Sequence, residues 1–331
     1  MKLILSTSNI IATGSSLRRS PGTKSNSELI SSLRSNFEAH YTSATNDSEN
    51  GNGITKSHYR SWTRRKDNGL EVPSLEFEDS ALQEERERYD ITLKLFYLPG
   101  AHVGQREVQT REALKLVLEG LHMPSVDLLI VSFPGIYFDE EEDCLDKIST
   151  RGPIESEPEG LESLIETWKT LEKLHDEGLV KKLGVAEFGH DRLRDFLDGT
   201  TIKPTVDQIN LRDCCSVPKD LLTLAKSKSV ELLVHNDCSN ILPRGTTREL
   251  LGPGEGGAGI LGEEAESSSK VGEKRKSLHG EEVRNGASES GSKDAMRGEV
   301  QPQWVVKYTA VVRDRGVVES KGYFAVAEVM E

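Results

Sequence analysis

The segment with the densest chemistry is His235-Asn236-Asp237-Cys238, which places an imidazole, a carboxylate and a thiol within four positions at the end of the strand-like run Val230 to His235. In a barrel, strand ends are where functional groups gather. The competing reading is a histidine that is simply hydrogen-bonded structure. Cys214 and Cys215 are adjacent, which is neither a C-x-x-C redox pair nor a zinc spacing. Together with Cys144 and Cys238 they make four cysteines, too few in so long a chain for a disulfide framework. Gly254-Glu255-Gly256-Gly257-Ala258-Gly259 has the G-x-G-x-x-G spacing of a dinucleotide loop. Such a loop must follow a strand and open an apolar helix, and this one follows Leu250-Leu251-Gly252-Pro253 and runs into Glu and Ser. The acidic run Asp139 to Asp143 reads as a solvated loop. Lys274-Arg275-Lys276 is too short to stand as a nuclear address. No G-x-S-x-G elbow or H-E-x-x-H motif is present, and no Ser-His-Asp pattern is evident.

The elements that must position these groups alternate. Lys2 to Ser6, Ile91 to Leu98, Val126 to Phe133, Val180 to Ala186, Val206 to Asn210, Val230 to His235 and Gly316 to Glu319 read as strands. Helical stripes lie between them. Leu29, Leu33 and Phe37 form one; Val108, Ala113, Leu114, Val117 and Leu121 form another; Leu161, Leu164, Ile165, Trp168, Leu171 and Leu174 form the third. Gly178 stops that last helix. The alternation predicts parallel strands with right-handed crossovers, which a doubly wound sheet and a closed barrel both satisfy. Seven visible strands, with room for an eighth in residues 75 to 90, favour the barrel.

Composition sets the limits. The chain has 331 residues, a formal charge of −13 and 35% apolar residues. Nucleic acid is thereby a poor partner, because phosphate affinity comes from clustered Lys and Arg. No window approaches the roughly 20 apolar residues of a membrane span, and the N-terminus turns polar too soon for a signal peptide. The expectation is a soluble, cytoplasmic protein. Two stretches lack core periodicity: residues 42–74, with Tyr59 and Trp62 as isolated exceptions, and residues 252–300, which hold 11 of the 29 glycines. Both read as insertions. Without them roughly 250 residues remain, the size of one barrel, so residues 1–331 read as a single domain.

The runs Pro204 to Leu221 and Glu231 to Asp237, with Trp304 to Tyr308 and Arg315 to Tyr323, closely resemble the regulatory (modifier, light) subunits of glutamate-cysteine ligase, a divergent branch of the aldo-keto reductases. The resemblance implies an α/β fold, a (β/α)8 TIM-type barrel of the aldo-keto reductase kind, incomplete at its second strand and lacking the last helix. It implies a catalytically silent subunit that binds the ligase's catalytic subunit and tunes its glutamate use and its feedback inhibition by glutathione. The active-site positions explain the silence. Lys94 matches the reductases' active-site lysine. Ser132 stands where their catalytic histidine belongs, and no segment resembles the strand that carries the catalytic tyrosine, the general acid. The nicotinamide-binding Ser-Asn pair is replaced by Ala186 and Glu187. Gln208 and Lys321 match cofactor positions, so residual NADPH binding is the most that remains; no resident cofactor and no metal are expected. Partner contact is expected of Cys214, Cys215, His235, Asp237 and Cys238, and an intersubunit disulfide of Cys214, Cys215 or Cys238. The alternative is an active NADPH-dependent aldo-keto reductase.

Overall fold

A computed structural model describes residues 1–12, 26–46, 58–77, 81–138, 155–211, 216–238, 240–243, 245–254, 256–262 and 295–330. Five strands and four helices alternate through its centre: β4 (Tyr89–Tyr97), α2 (Arg106–Leu121), β5 (Val126–Ser132), α3 (Leu161–Asp176), β6 (Val180–Ala186), α4 (His190–Gly199), β7 (Val206–Ile209), α5 (Lys219–Lys228) and β8 (Glu231–Val234). These strands pair in parallel, in chain order. Parallel neighbours need a crossover, and the amphipathic helices supply it. Leu164, Trp168, Leu171 and Leu174 of α3 are buried against that sheet, while Gly178 at φ +74 ends the helix as a left-handed C′ residue.

The remaining strands come from the two ends of the sequence. β1 (Lys2–Ser6) is followed by α1 (Asn26–Asn46) and the small hairpin β2 (Arg64–Lys66) and β3 (Gly69–Val72). After β8 come the short helix α6 (Thr246–Leu251) and a long hairpin, β9 (Glu299–Val312) and β10 (Val317–Met330). Among the described residues the ladder runs β2-β3-β1-β10-β9-β4-β5-β6-β7-β8. The hairpin β9–β10 therefore sits between β1 and β4, antiparallel to both, where a barrel would have its second strand. The ladder is open, since β2 and β8 at its ends are not paired with each other.

Three features differ from the sequence reading. Among the described residues between 75 and 88 there is no strand; the missing position is filled from β9 and β10, whose alternating buried residues form a two-stranded ribbon well beyond Gly316 to Glu319. Residues 58–74, read as part of a polar insertion, pack: Tyr59 and Trp62 are buried with Leu33, Phe37 and Val72, and Trp62 stacks edge-on with Tyr41. Two aromatic side chains can anchor a short polar segment whose remaining residues carry no periodic signal. In the other proposed insertion, Ala258, Ile260 and Leu261 are buried, while residues 263–294 lie outside the described residues. The same holds for Cys144, Cys214, Cys215, the acidic run and Lys274-Arg275-Lys276.

Candidate functional site

The strand register builds the site. Tyr323 on β10 pairs with Lys307 on β9, and Lys307 pairs with Lys94 on β4. Register partners share a face, so the two lysines stand side by side on rigid strands. His235 and Asp237 follow β8, four strands from β4 and five from β9. On a flat sheet those spans are roughly 19 and 24 Å. Yet Asp237 Oδ1 lies 2.9 Å from Lys307 Nζ, and Asp237 Oδ2 lies 3.4 Å from Lys94 Nζ. The sheet is thus curled into a trough, and these ion pairs span it.

The other contacts fix the orientation. The backbone N–H of Asp237 donates to His235 Nδ1 at 3.0 Å, so the ring proton is assigned to Nε2. Lys94 Nζ also approaches Nδ1, at 3.3 Å. His235 Nε2 lies 2.6 Å from Glu187 Oε1 but off the line of a good hydrogen bond, so this contact is chiefly electrostatic. Glu187 Oε2 accepts the N–H of Phe138 at 2.9 Å. Asp207, fully buried, accepts the N–H of Phe188 through Oδ1 at 3.3 Å, and its Oδ2 has no partner.

Burial depresses the Lys94 ammonium, and the Asp237 and Glu187 carboxylates oppose that shift. Burial also drives the Asp207 carboxyl well above the usual carboxylate range, and the charge of Glu187 adds to the effect. For Asp237 burial pushes the other way, but Lys94 and Lys307 together outweigh it and hold its carboxyl below that range.

The side-chain partners of Lys94 are His235 and Asp237, and no phenol is among them. Ser132 is buried at the end of β5 and supplies no imidazole. Gln208 keeps a buried, unpartnered Oε1, which suits an amide donor. Lys321, however, is paired with Glu28 Oε1 of α1 at 2.7 Å, and that same oxygen accepts from Tyr323 at 2.6 Å. A nucleotide phosphate there would meet Glu28. Glu187 has one oxygen committed to Phe138 and the other against His235. The two expected cofactor residues, Gln208 and Lys321, are five strands apart in the ladder.

Of the partner residues expected from sequence, the three that are described, His235, Asp237 and Cys238, face inward. Asp237 and Cys238 are 9% and 5% exposed, and the His235 side chain is likewise buried. Sequence reasoning missed Lys307 and Asp207 altogether. The signal for Lys307 was a lone cation in an otherwise apolar run, Trp304-Val305-Val306-Lys307-Tyr308; for Asp207 there was none beyond its place in a strand. The glycine-rich run is structural. The N–H groups of Gly257, Ala258, Gly259 and Ile260 bond to the carbonyls of Gly254, Leu250, Gly252 and Leu251, folding the chain back on the end of α6. These donors are already used and cannot cradle a phosphate. Among the described residues there is no metal-binding group of His, Cys, Asp or Glu, and no helix long and apolar enough to cross a membrane.

Comparison with known sequences fixes the class. The profile of the Aldo/keto reductase family matches residues 71–238, half of the chain, which spans β4 to β8 and the trough residues Lys94, Glu187, Asp207, His235 and Asp237, but not Lys307. The chain belongs to that family. Within it, the chain is 30% identical over 247 residues to a protein of Schizosaccharomyces pombe named putative glutamate–cysteine ligase regulatory subunit, covering 73% of this chain and 72% of that one. It is 24% identical over 245 residues to the human glutamate–cysteine ligase regulatory subunit, covering 74% and 68%. An NAD(P)H-dependent D-xylose reductase of Kluyveromyces lactis is 32% identical, but over 111 residues, or 29% of this chain and 31% of that one.

Proposed function

We propose that this protein is a non-catalytic regulatory subunit of glutamate–cysteine ligase, binding the catalytic subunit and raising its effective use of glutamate while relieving inhibition by glutathione. The observation that carries the reading is the 30% identity to a regulatory subunit over nearly three quarters of both chains, set against reductase similarity that covers between 29% and 54% of this chain. The trough supports it chemically. A lysine tied to Asp237 and His235 has no phenol to activate, and Ser132 cannot replace an imidazole as proton donor. Pyridine nucleotide is not a resident cofactor on this reading: only Gln208 keeps a cofactor-like group, Glu187 opposes the ring amide and Glu28 opposes a phosphate. The working compartment on this reading is the cytoplasm.

Regulation by a bound subunit requires preference for one conformation of the partner, because equal affinity for two states shifts neither. The test mixes the purified chain with the catalytic subunit, follows co-elution, and measures ligase rate against glutamate with and without glutathione. A stable complex with a lower KM for glutamate is expected. In parallel, the isolated chain is given NADPH and a panel of aldehydes, and no turnover is expected. Failure to co-elute, or steady aldehyde reduction by the isolated chain, overturns the proposal.

A further inference from the structure

We propose that the trough is a small-carboxylate site and that Asp237 is the tethered carboxylate filling it. The two cations that define the site, Lys94 and Lys307, stand on neighbouring paired strands and are fixed by the ladder. The anion comes from an irregular segment beyond β8, outside the ladder. Its two oxygens divide between the lysines, Oδ1 at 2.9 Å from Lys307 and Oδ2 at 3.4 Å from Lys94, with His235 Nδ1 3.8 Å from Oδ2. This is how a bound carboxylate is held by two ammonium groups.

Hydrogen bonds keep the segment in place, among them that from the His235 N–H to the carbonyl of Ile209 at 3.1 Å. Asn210 Nδ2 donates to the carbonyl of Asp237 at 3.3 Å, and the Asp237 N–H donates to His235. Glu187, on the far side of the imidazole, touches neither lysine within ion-pair distance, and Asp207 makes its bond to the backbone of Phe188. Asp237 is therefore the anion for which the lysine pair is built. While it is seated, free carboxylates and polar carbonyl compounds meet an occupied site. The inference rests on the non-catalytic reading only in giving that silence a physical block, and its test needs no partner, so the two can fail separately.

The experiment uses the full chain and acetate as the probe, with chloride at matched ionic strength as the control. In the unmodified chain the two salts shift the melting temperature equally. In Asp237→Ala, acetate raises it saturably and chloride does not, and adding Lys307→Met removes the acetate effect. Equal responses to the two salts in Asp237→Ala, or an acetate-specific response in the unmodified chain, overturn the proposal. Should Asp237→Ala not unfold cooperatively, Asp237→Asn decides by amine labelling at Lys94. Loss of the counter-ion further lowers its proton affinity, so labelling accelerates by up to about tenfold per pKa unit lost, and an unchanged rate overturns the proposal.

Discussion

Asp207 and Asp237 both feel the charge of Lys94 yet carry opposite linkage to pH. The Asp237 carboxyl is held low by two ammonium groups, so its contribution to stability is present above the ordinary carboxylate range and is lost as pH falls through its folded value. The Asp207 carboxyl is raised by burial. Its contribution is full below its unfolded pKa and declines as pH rises toward the folded one. Asp207→Asn keeps an oxygen for the Phe188 N–H and removes that decline. The variant should therefore gain on the unmodified chain by about 1.4 kcal/mol per pH unit through this window. Melting curves at pH 5 and pH 7.5 check this: the variant's advantage should grow by several degrees, at about 2–4 °C per kcal/mol, and a constant offset refutes it. Part of this was legible in the sequence. Lys94, Ser132 and Glu187 could be matched to family positions because the first two stand in, and the third directly follows, a strand with a clear apolar signature. Asp207 and Lys307 could not, since a charged residue in a strand reads as solvent-facing until the neighbouring strands are known.

Among the elements, α2 and α3 are joined through one buried cation, Arg106. Arg106 opens α2 and is fully buried. Its guanidinium is bidentate to Glu159, one arm at 2.8 Å, reaches Thr167 of α3 at 3.2 Å, and lies over the rings of Tyr97 and Phe133. Removing one partner of a buried pair leaves the other uncompensated and costs about 3–5 kcal/mol. Arg106→Ala should lose that much in urea unfolding, and Arg106→Lys should recover only part, because an ammonium cannot reproduce the planar fork. A loss below about 1 kcal/mol places the clamp on the surface, where such pairs count for little. The apolar stripe of α2 was read correctly at Ala113, Leu114, Val117 and Leu121, but Val108 is 66% exposed while Arg106, Gln109 and Thr110 are buried. Polar residues that satisfy one another inside a fold leave no periodic trace, and the helix pattern alone assigns them to the wrong face. The strands were more legible: Lys2 to Ser6 and Val180 to Ala186 match to the residue, since short apolar runs between turn residues leave little room for another register.

At the scale of the molecule the sheet is held in its middle by the hairpin β9–β10, which pairs with β1 on one side and with β4 on the other. Removing residues 299–331 uncovers an edge on each and takes Lys307 out of the trough. The expected product is a chain without a cooperative melting transition that self-associates through the exposed edges, checked by circular dichroism and size exclusion; a monomeric, cooperatively melting product contradicts this. The architecture was legible where βα units repeat locally and illegible where strands far apart in sequence meet, because nothing in a local pattern says that Glu299–Val312 lies against Tyr89–Tyr97. The order of the strands also has a consequence during synthesis. β1 and β4 leave the ribosome long before their shared neighbours, and at typical elongation rates roughly 10–50 s separate β4 from β10. For that interval the nascent chain carries two unsatisfied edges, so a chaperone that shields extended backbone is needed most in the window before translation of the hairpin.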